Sequence, residues 1–490
     1  MKTTPMEHQK IGRKHLRKNP KFFGLGCDQG TGKTWMILDD MEYQFKKGLI
    51  NGVLILAPKG VHTNWVLREI PKHLETKCRV GVWRSNPGIR RMRTFREMLE
   101  IKNVDRLDVF SVNIDALVSQ KVVNLCYDFI KAHKCMIVVD ESSRIKSKTA
   151  SCTKKIIQLG KGAVSKRIAS GTMVTNGPPD LFSQFEFLSP GGGLLGETSY
   201  RCFMAQYCRL VDSQSPRMYA IRAKMRPGMP EPQIVDRDSL GRPLYKNEDK
   251  LGKLMSPHVY RVLKSECLDL PPKVYQTYSY IMPPKARAVY EILEQELNYT
   301  NQDGEIDTYT ALTVITKLRQ VISGFIITKG EPTELIDPKV NPRLDLLKET
   351  IEEIGTKQFI IWATFRKEFE MIREALKSMN ISTGEYHGAI KPAARELSVD
   401  RLQSGDNQCF LGHPKSGGIG LTLTAAEASV YYSRDFALEP RLQSEDRNHR
   451  HGTKSTIVYT DIVAENSIDE KIALALQAKE DVANKIYSYL

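Results

Sequence analysis

Gly26-Cys27-Asp28-Gln29-Gly30-Thr31-Gly32-Lys33-Thr34 carries residue types suited to binding the phosphates of a nucleotide such as ATP. In a glycine-rich turn that opens a helix, backbone N–H groups point at an anion. Lys33 would then reach the β- and γ-phosphates, and the Thr34 hydroxyl would hold Mg²⁺. Gly30 and Gly32 allow positive φ and a close approach of the backbone. Asp28 and Thr31 belong to the same turn, and the strict pattern wants glycine where Cys27 stands. Read alone, the stretch could be a turn that merely caps a helix.

Two further constellations fit the same chemistry. Val138-Val139-Asp140-Glu141 is an apolar run ending in two carboxylates. Asp140 could hold Mg²⁺ through water, while Glu141 orients and deprotonates an attacking water. Taken alone, they are two solvated acids at a strand end. Arg447 and Arg450 are three residues apart, so on one helical turn they share a face. Guanidiniums there can stabilise charge spreading over a γ-phosphate, although a solvated basic helix reads the same way.

These residues need positioning elements. Val53–Ala57, Asp108–Val112, Met136–Val139 and Arg167–Ser170 are short apolar runs between longer, helix-like stretches. The spacing predicts a parallel sheet covered by helices on both faces, with ligands at the carboxyl ends of its strands. Pro58, Lys59 and Gly60 follow the first run and lead into a helix that Thr63 or Asn64 could cap. That helix start, with Lys59 nearby, suits a phosphodiester backbone. Ser170-Gly171-Thr172 opens a polar loop able to relay a change at the γ-phosphate across the sheet. Phe359–Trp362, Gln408–Leu411, Ser429–Tyr432 and Thr456–Tyr459 predict a second parallel sheet that lacks another Gly-Lys-Thr.

The bulk numbers agree with a multidomain, nucleic-acid-binding chain. At 490 residues two or three domains are expected. Apolar residues make up 41% and charged residues 26%, as in globular proteins. Lys and Arg exceed Asp and Glu by 15, which suits a polyanionic partner bound through counterion release. The nine cysteines form no Cys-x-x-Cys pair, and the first residues lack the apolar core of a secretory signal. The expected setting is a bacterial or virus-infected cytoplasm, or a nucleus.

In order, these segments resemble the Swi/Snf-type ATPases of helicase superfamily two. The resemblance rests on Asp-x-Gly-x-Gly-Lys-Thr, on Ala57-Pro58-Lys59 with Asn64-Trp65, and on Asp140-Glu141-Ser142-Ser143-Arg144-Ile145-Lys146. It continues through Ser170-Gly171-Thr172, through Arg261-Val262-Leu263-Lys264 with Leu270-Pro271, and through Leu318-Arg319-Gln320. Ser416–Thr424 and Gln443–Gly452 complete it. Ser143 stands where the family has His, and Met173 where it has Pro. The family's phosphate loop often lacks the glycine missing at Cys27.

The resemblance implies an α/β fold with two RecA-like lobes, at 1–194 and 336–490, and a mainly helical insertion and linker over 195–335. Within it, 251–267, 283–299 and 309–325 are expected as helices, and 211–243 as an exposed loop or strand pair. It implies that Gln9 contacts adenine, that Gly418 and Gly420 lie near the nucleotide, and that Arg447 and Arg450 are finger residues. Gln443 joins Ser170, Gly171 and Thr172 in coupling. Pro58, Lys59, Gly60, Asn64, Trp65, Thr364, His387, Ser416 and Thr422 face nucleic acid. The implied activity is a DNA motor with ATP and Mg²⁺ as cofactors and duplex DNA as track. A strand-separating or annealing helicase, a motor subunit of a nuclease complex, and a binding scaffold without turnover remain alternatives.

Overall fold

The computed structural model describes residues 1–85, 88–100, 105–223, 225, 232–238, 242–302, 308–417 and 421–490. The chain divides into two compact units. The first comprises Met1–Arg209, Pro243–Asp269 and Lys479–Leu490, and the second comprises Leu210–Arg242 and Leu270–Ala478. The segment expected as a separate insertion at 195–335 is thus shared between them.

Strands of the first unit are β1 (Phe22–Leu25), β2 (Gly52–Ala57), β3 (Cys78–Val82), β4 (Leu107–Asn113), β5 (Cys135–Asp140), β6 (Ser165–Ala169) and β7 (Val259–Tyr260). They form one parallel sheet ordered β3-β4-β2-β5-β6-β1-β7. Alternation inside the apolar runs explains the layers. Leu54, Leu56, Ile137 and Val139 enter one core, while Val53, Ile55, Met136 and Val138 enter the core on the opposite face. A strand buried on both faces reads as a continuous apolar run because each side has its own cover of helices.

In the second unit, β8 (Lys273–Tyr280), β11 (Phe359–Trp362), β12 (Thr383–Tyr386), β13 (Cys409–Gly412), β14 (Ala428–Tyr431) and β15 (Ile457–Ala464) form a parallel sheet ordered β12-β13-β11-β14-β15-β8. The hairpin β9 (Phe325–Thr328) and β10 (Glu331–Glu334) is separate. Two helices, Pro284–Gln302 and Thr308–Ile322, contribute Tyr290 and Leu318 to this unit's core. Among the described residues no helix is long and apolar enough to cross a membrane.

The middle of the chain departs from expectation in two respects. Within 211–243, expected as an exposed loop or strand pair, Pro216–Ala223 is a helix. The single helix expected over 251–267 is broken into Glu248–Met255, a 3₁₀ turn Ser256–His258, β7, and Lys264–Cys267. Pro257 explains the break, since it has no N–H to donate back to the preceding turn and its ring crowds the carbonyl four residues earlier. Freed from the helix, Val259 and Tyr260 pair with Gly24 and Leu25 of β1.

Candidate nucleotide site and nucleic-acid face

Register places the phosphate loop, the carboxylate pair and the polar loop side by side. Leu25 and Asp140 both pair with Ala169, so β1, β6 and β5 end in one row. Beyond Leu25 the loop turns through Gly30 at φ 83° and Gly32 at φ 80°, and the helix Lys33–Lys46 begins. Lys33 Nζ folds back onto the loop, donating to the carbonyls of Cys27 at 2.9 Å and Asp28 at 3.1 Å. Thr31 Oγ1 donates to the Asp28 carbonyl at 2.7 Å. Thr34 occupies the first turn of the helix.

Gln9 lies over this loop. Its Nε2 donates to the Thr31 carbonyl at 3.4 Å, and its Oε1 accepts the Met6 N–H at 2.9 Å. A Cβ on Gly32 would come within 2.1 Å of Gln9 Nε2, the end of a flexible side chain that would have to move, so the φ of 80° is what calls for glycine here. Cys27 lies in the core and its Sγ donates to the Tyr260 carbonyl at 3.4 Å. Its backbone is not left-handed, so glycine is not required there. Burial pushes this thiol up to about 12, which leaves it unreactive.

A strap from the middle of the chain braces the loop. Gly26 N–H donates to the Tyr260 carbonyl at 2.9 Å, and Asp28 N–H to the Val262 carbonyl at 3.0 Å. The Asp28 carboxylate accepts the Lys264 N–H at 3.0 Å. This brace was not foreseen, because a two-residue strand has no periodicity to detect.

Asp140 ends β5 within the protein. Burial pushes its carboxyl up, against the opposing pull of the Trp65 indole and the Lys33 charge. Glu141 then turns the chain with φ 52°, an uncommon conformation for a non-glycine residue. Ser170 Oγ donates to Glu141 Oε2 at 3.4 Å and accepts the Thr172 N–H at 3.1 Å. A Cβ on Gly171 would lie 3.2 Å from Gln29, so the polar loop packs directly on the phosphate loop. Thr172 Oγ1 is buried without a hydrogen-bond partner.

Gln184, on the helix Pro179–Leu188, joins the carboxylate turn to the polar loop. It accepts from Ser142 Oγ at 2.7 Å and donates to the Met173 carbonyl at 2.8 Å. The Val174 N–H donates to Tyr487 Oη at 2.7 Å. Neither Gln184 nor Tyr487 belongs to a recognisable motif, and no sequence signal marks them.

The oxygen donors suit a hard cation. Asp140 Oδ2 accepts one bond from Trp65 and Oδ1 one from the Glu141 N–H, so each oxygen keeps a further lone pair. A hydroxyl at Thr34 with one such carboxylate fits Mg²⁺, which completes its shell with phosphate and water.

On the expected nucleic-acid face, Lys59 and Gly60 are exposed and Asn64 is half-buried. Pro58 is buried, and its carbonyl accepts the His62 N–H at 3.2 Å. The helix Val61–Asn64 is N-capped by Gly60, so neither Thr63 nor Asn64 serves as the cap. The expectation for Trp65 is corrected. It is 1% exposed, and its indole N–H donates to Asp140 at 2.7 Å, so it has no surface to offer a nucleic acid.

In the second unit, Arg447 and Arg450 lie beyond the helix Leu438–Glu445, on the turn that follows it. They do not share a helical face, contrary to expectation. They converge because Arg447 Nη1 and Arg450 Nη1 both donate to the Leu421 carbonyl, at 3.2 Å and 3.0 Å. Arg450 also donates to Thr422 Oγ1 at 3.1 Å, and Arg447 Nε to the Gln443 carbonyl at 2.8 Å. The Gln443 side chain donates to Glu439 at 3.1 Å. Gly418 and Gly420 lie outside the described residues.

Ser416 Oγ donates to the His413 carbonyl at 3.2 Å, and Thr364 Oγ1 accepts from Arg319 at 3.1 Å. His387 is also a correction. Its Nε2 pairs with Glu385 at 2.9 Å and its ring lies 4.3 Å from Phe369, which takes it out of the expected surface. Side-chain ion pairs hold the helix that precedes the arginines. Glu445 binds Lys273 at 3.0 Å and Arg441 at 2.7 Å, and Arg441 binds Asp461 at 2.5 Å.

The SNF2-related domain family matches residues 16–324, and the helicase conserved C-terminal domain matches residues 342–452. An uncharacterized ATP-dependent helicase of Mycoplasma genitalium is 23% identical over 495 residues, covering 98% of this chain and 42% of the relative. The chromatin remodeling factor mit1 of Schizosaccharomyces pombe is 21% identical over 482 residues, covering 93% of this chain and 31% of mit1. The chain therefore spans less than half the length of these relatives. Among solved structures, the Sulfolobus solfataricus SWI2/SNF2 ATPase core in complex with dsDNA aligns with a TM-score of 0.40 at 20% identity, covering 100% of this chain and 95% of that one.

Proposed function

The chain belongs to the SNF2-related family, and we propose that it is an ATP-driven motor that moves along or remodels duplex DNA. One observation carries the reading: β1, β6 and β5 end in one row, which brings Lys33, Ser170 and the Asp140–Glu141 pair to one edge of one sheet. Lys33 leaves the Cys27 and Asp28 carbonyls to bind the β- and γ-phosphates. Thr34 and Asp140 would hold Mg²⁺, which would supply neutralisation of the phosphate charge. Glu141 orients the attacking water and takes its proton, aimed by the left-handed turn at its own backbone. Ser170, bonded to Glu141, registers the loss of the γ-phosphate and passes it to Thr172. Gln9 holds the adenine end.

Arg447 and Arg450 supply the charge that stabilises the transferring phosphoryl group, so hydrolysis waits on the second lobe. Gln443, next to Arg447, couples that approach to the track. The DNA face consists of Lys59, Gly60 and Asn64 in the first lobe and Thr364, Ser416 and Thr422 in the second. Contacts of this kind address the backbone and give little sequence preference. The net charge of +15 supports a polyanionic track.

The test is steady-state ATP hydrolysis with no nucleic acid, single-stranded DNA, duplex DNA or RNA, alongside Lys33→Ala and Glu141→Gln. Duplex DNA is expected to stimulate most, and both variants to lose turnover. Equal turnover in all four conditions contradicts a motor. The relatives named ATP-dependent helicases favour strand separation as a second reading, and a gel assay of strand release distinguishes the two.

A further inference from the structure

We propose that Trp65 is the positioning residue for Asp140, through which the segment Pro58–Asn64, exposed at Lys59 and Gly60, reports to the metal side of the nucleotide site. The inference rests on the reading of Asp140 as a metal carboxylate and of this loop as a DNA contact.

The two carboxylate oxygens of Asp140 have different kinds of partner. Oδ1 accepts the N–H of Glu141, its own chain neighbour, at 3.0 Å. Oδ2 accepts the Trp65 indole N–H at 2.7 Å, from an element that ends nowhere near β5 in sequence. The first bond is fixed by the local turn. The second fixes the rotation of the carboxylate from outside. A charge-assisted bond at this length in a buried setting is strong enough to decide which lone pairs face a cation.

Trp65 is also joined directly to the exposed loop. Lys59 and Gly60 are exposed, Gly60 has φ 91°, and the helix Val61–Asn64 starts there without a side-chain cap. That one turn runs into a π-helical segment, Trp65–Glu69, and then into Ile70–His73. A π segment inside a helix is rare and is frequently found at functional sites. Here the change of winding begins at the residue that holds Asp140. Glu69, at the end of the same segment, bears electrostatically on the Asp140 carboxyl.

The loop is held on one side by Ser111 Oγ, which donates to the His62 carbonyl at 2.7 Å. A phosphate bound at Lys59 and Gly60 displaces the uncapped turn, rewinds the π segment, and moves the indole relative to Oδ2. The carboxylate is then re-aimed. DNA binding thus changes the cation's coordination without touching the nucleotide.

Trp65→Phe keeps an aromatic ring in the core and removes the N–H. The variant should need about tenfold more Mg²⁺ for half-maximal binding of a fluorescent ATP analogue, the cost of one charge-assisted hydrogen bond. Its affinity for the analogue without Mg²⁺ should stay unchanged. In a cycle with Asp140→Asn, the two effects on Mg²⁺-dependent binding should be less than additive. A second measurement needs no change at Trp65. Of the four tryptophans labelled with fluorine, one ¹⁹F signal should shift in Asp140→Asn, and duplex DNA added without nucleotide should shift that same signal.

Wild-type Mg²⁺ dependence in Trp65→Phe, full additivity in the cycle, or a tryptophan signal that DNA leaves unmoved overturns the proposal. If wild-type turnover does not respond to DNA, the motor reading fails. The Mg²⁺ and additivity arms still report on the Trp65–Asp140 link.

Discussion

The phosphate loop and the arginine turn are held in place by opposite means. Around the loop, the bracing bonds end on backbone carbonyls: the Gly26 and Asp28 N–H groups donate to Tyr260 and Val262, and the Lys33 side chain donates to two carbonyls of the loop itself. The helix before the arginine turn is held by buried side-chain charges, Lys273, Glu445, Arg441 and Asp461. Backbone bracing fixes a shape and tolerates changes of side chain, as Cys27 does in place of glycine. Charge bracing depends on every member being present and ionised, because one partner removed leaves a buried charge uncompensated.

That difference can be probed from its largest expected effect downward. Glu141→Gln keeps the fold of the first lobe and removes the base, so hydrolysis should fall by about 10²–10⁴ while Mg²⁺·ATP affinity stays within a few-fold. Single-turnover kinetics with a binding isotherm measures both. Gly32→Ala attacks the backbone side of the comparison. The added carbon meets Gln9 Nε2 and must sit at φ 80°, so a loss of about 1–3 kcal/mol in thermal stability should come with lost nucleotide binding. If Gly32→Ala binds nucleotide normally, the loop is less tightly fixed than its bonds indicate.

Acid tests the charge side. Burial pushes the Glu445 carboxyl up, but Lys273 and Arg441, helped by the Tyr275 hydroxyl, outweigh it and hold the group at about 2. A carboxyl depressed in the folded state stabilises above its unfolded value, near 4.5, and that stability disappears as pH falls towards about 2. Glu445→Gln should therefore melt lower at neutral pH and lose less stability on acidification over that window. Parallel melting curves for variant and wild type would show that the ion pairs do not brace the turn.

The two regions also differed in how far the sequence revealed them. Residues 53–57 and 136–139 are legible as strands because both faces are covered and the runs stay apolar. Lys33, Asp140 and Ser170 come together because they lie at or beyond the carboxyl ends of neighbouring strands, where the alternation of runs and helices already places a ligand site. Lys273–Tyr280 was missed as a strand: it lies at the sheet edge, half exposed, with polar residues throughout. The arginines were placed on a helix that ends at Glu445, and what brings them together is a backbone carbonyl at Leu421, invisible to spacing rules. The family resemblance alone puts Trp65 on the nucleic-acid face. Its partner Asp140 lies 75 residues further along the chain, and that separation hides the contact from any local pattern.

The central claim is that the first lobe binds ATP by itself and that turnover requires the arginines of the second. Nucleotide affinity and single-turnover hydrolysis, measured together in Arg447→Ala and Arg450→Ala with saturating duplex DNA, test it most directly. The account predicts affinity within a few-fold of wild type and hydrolysis slower by about 10³ or more in each variant. Unchanged hydrolysis, or affinity lost in step with rate, would contradict it.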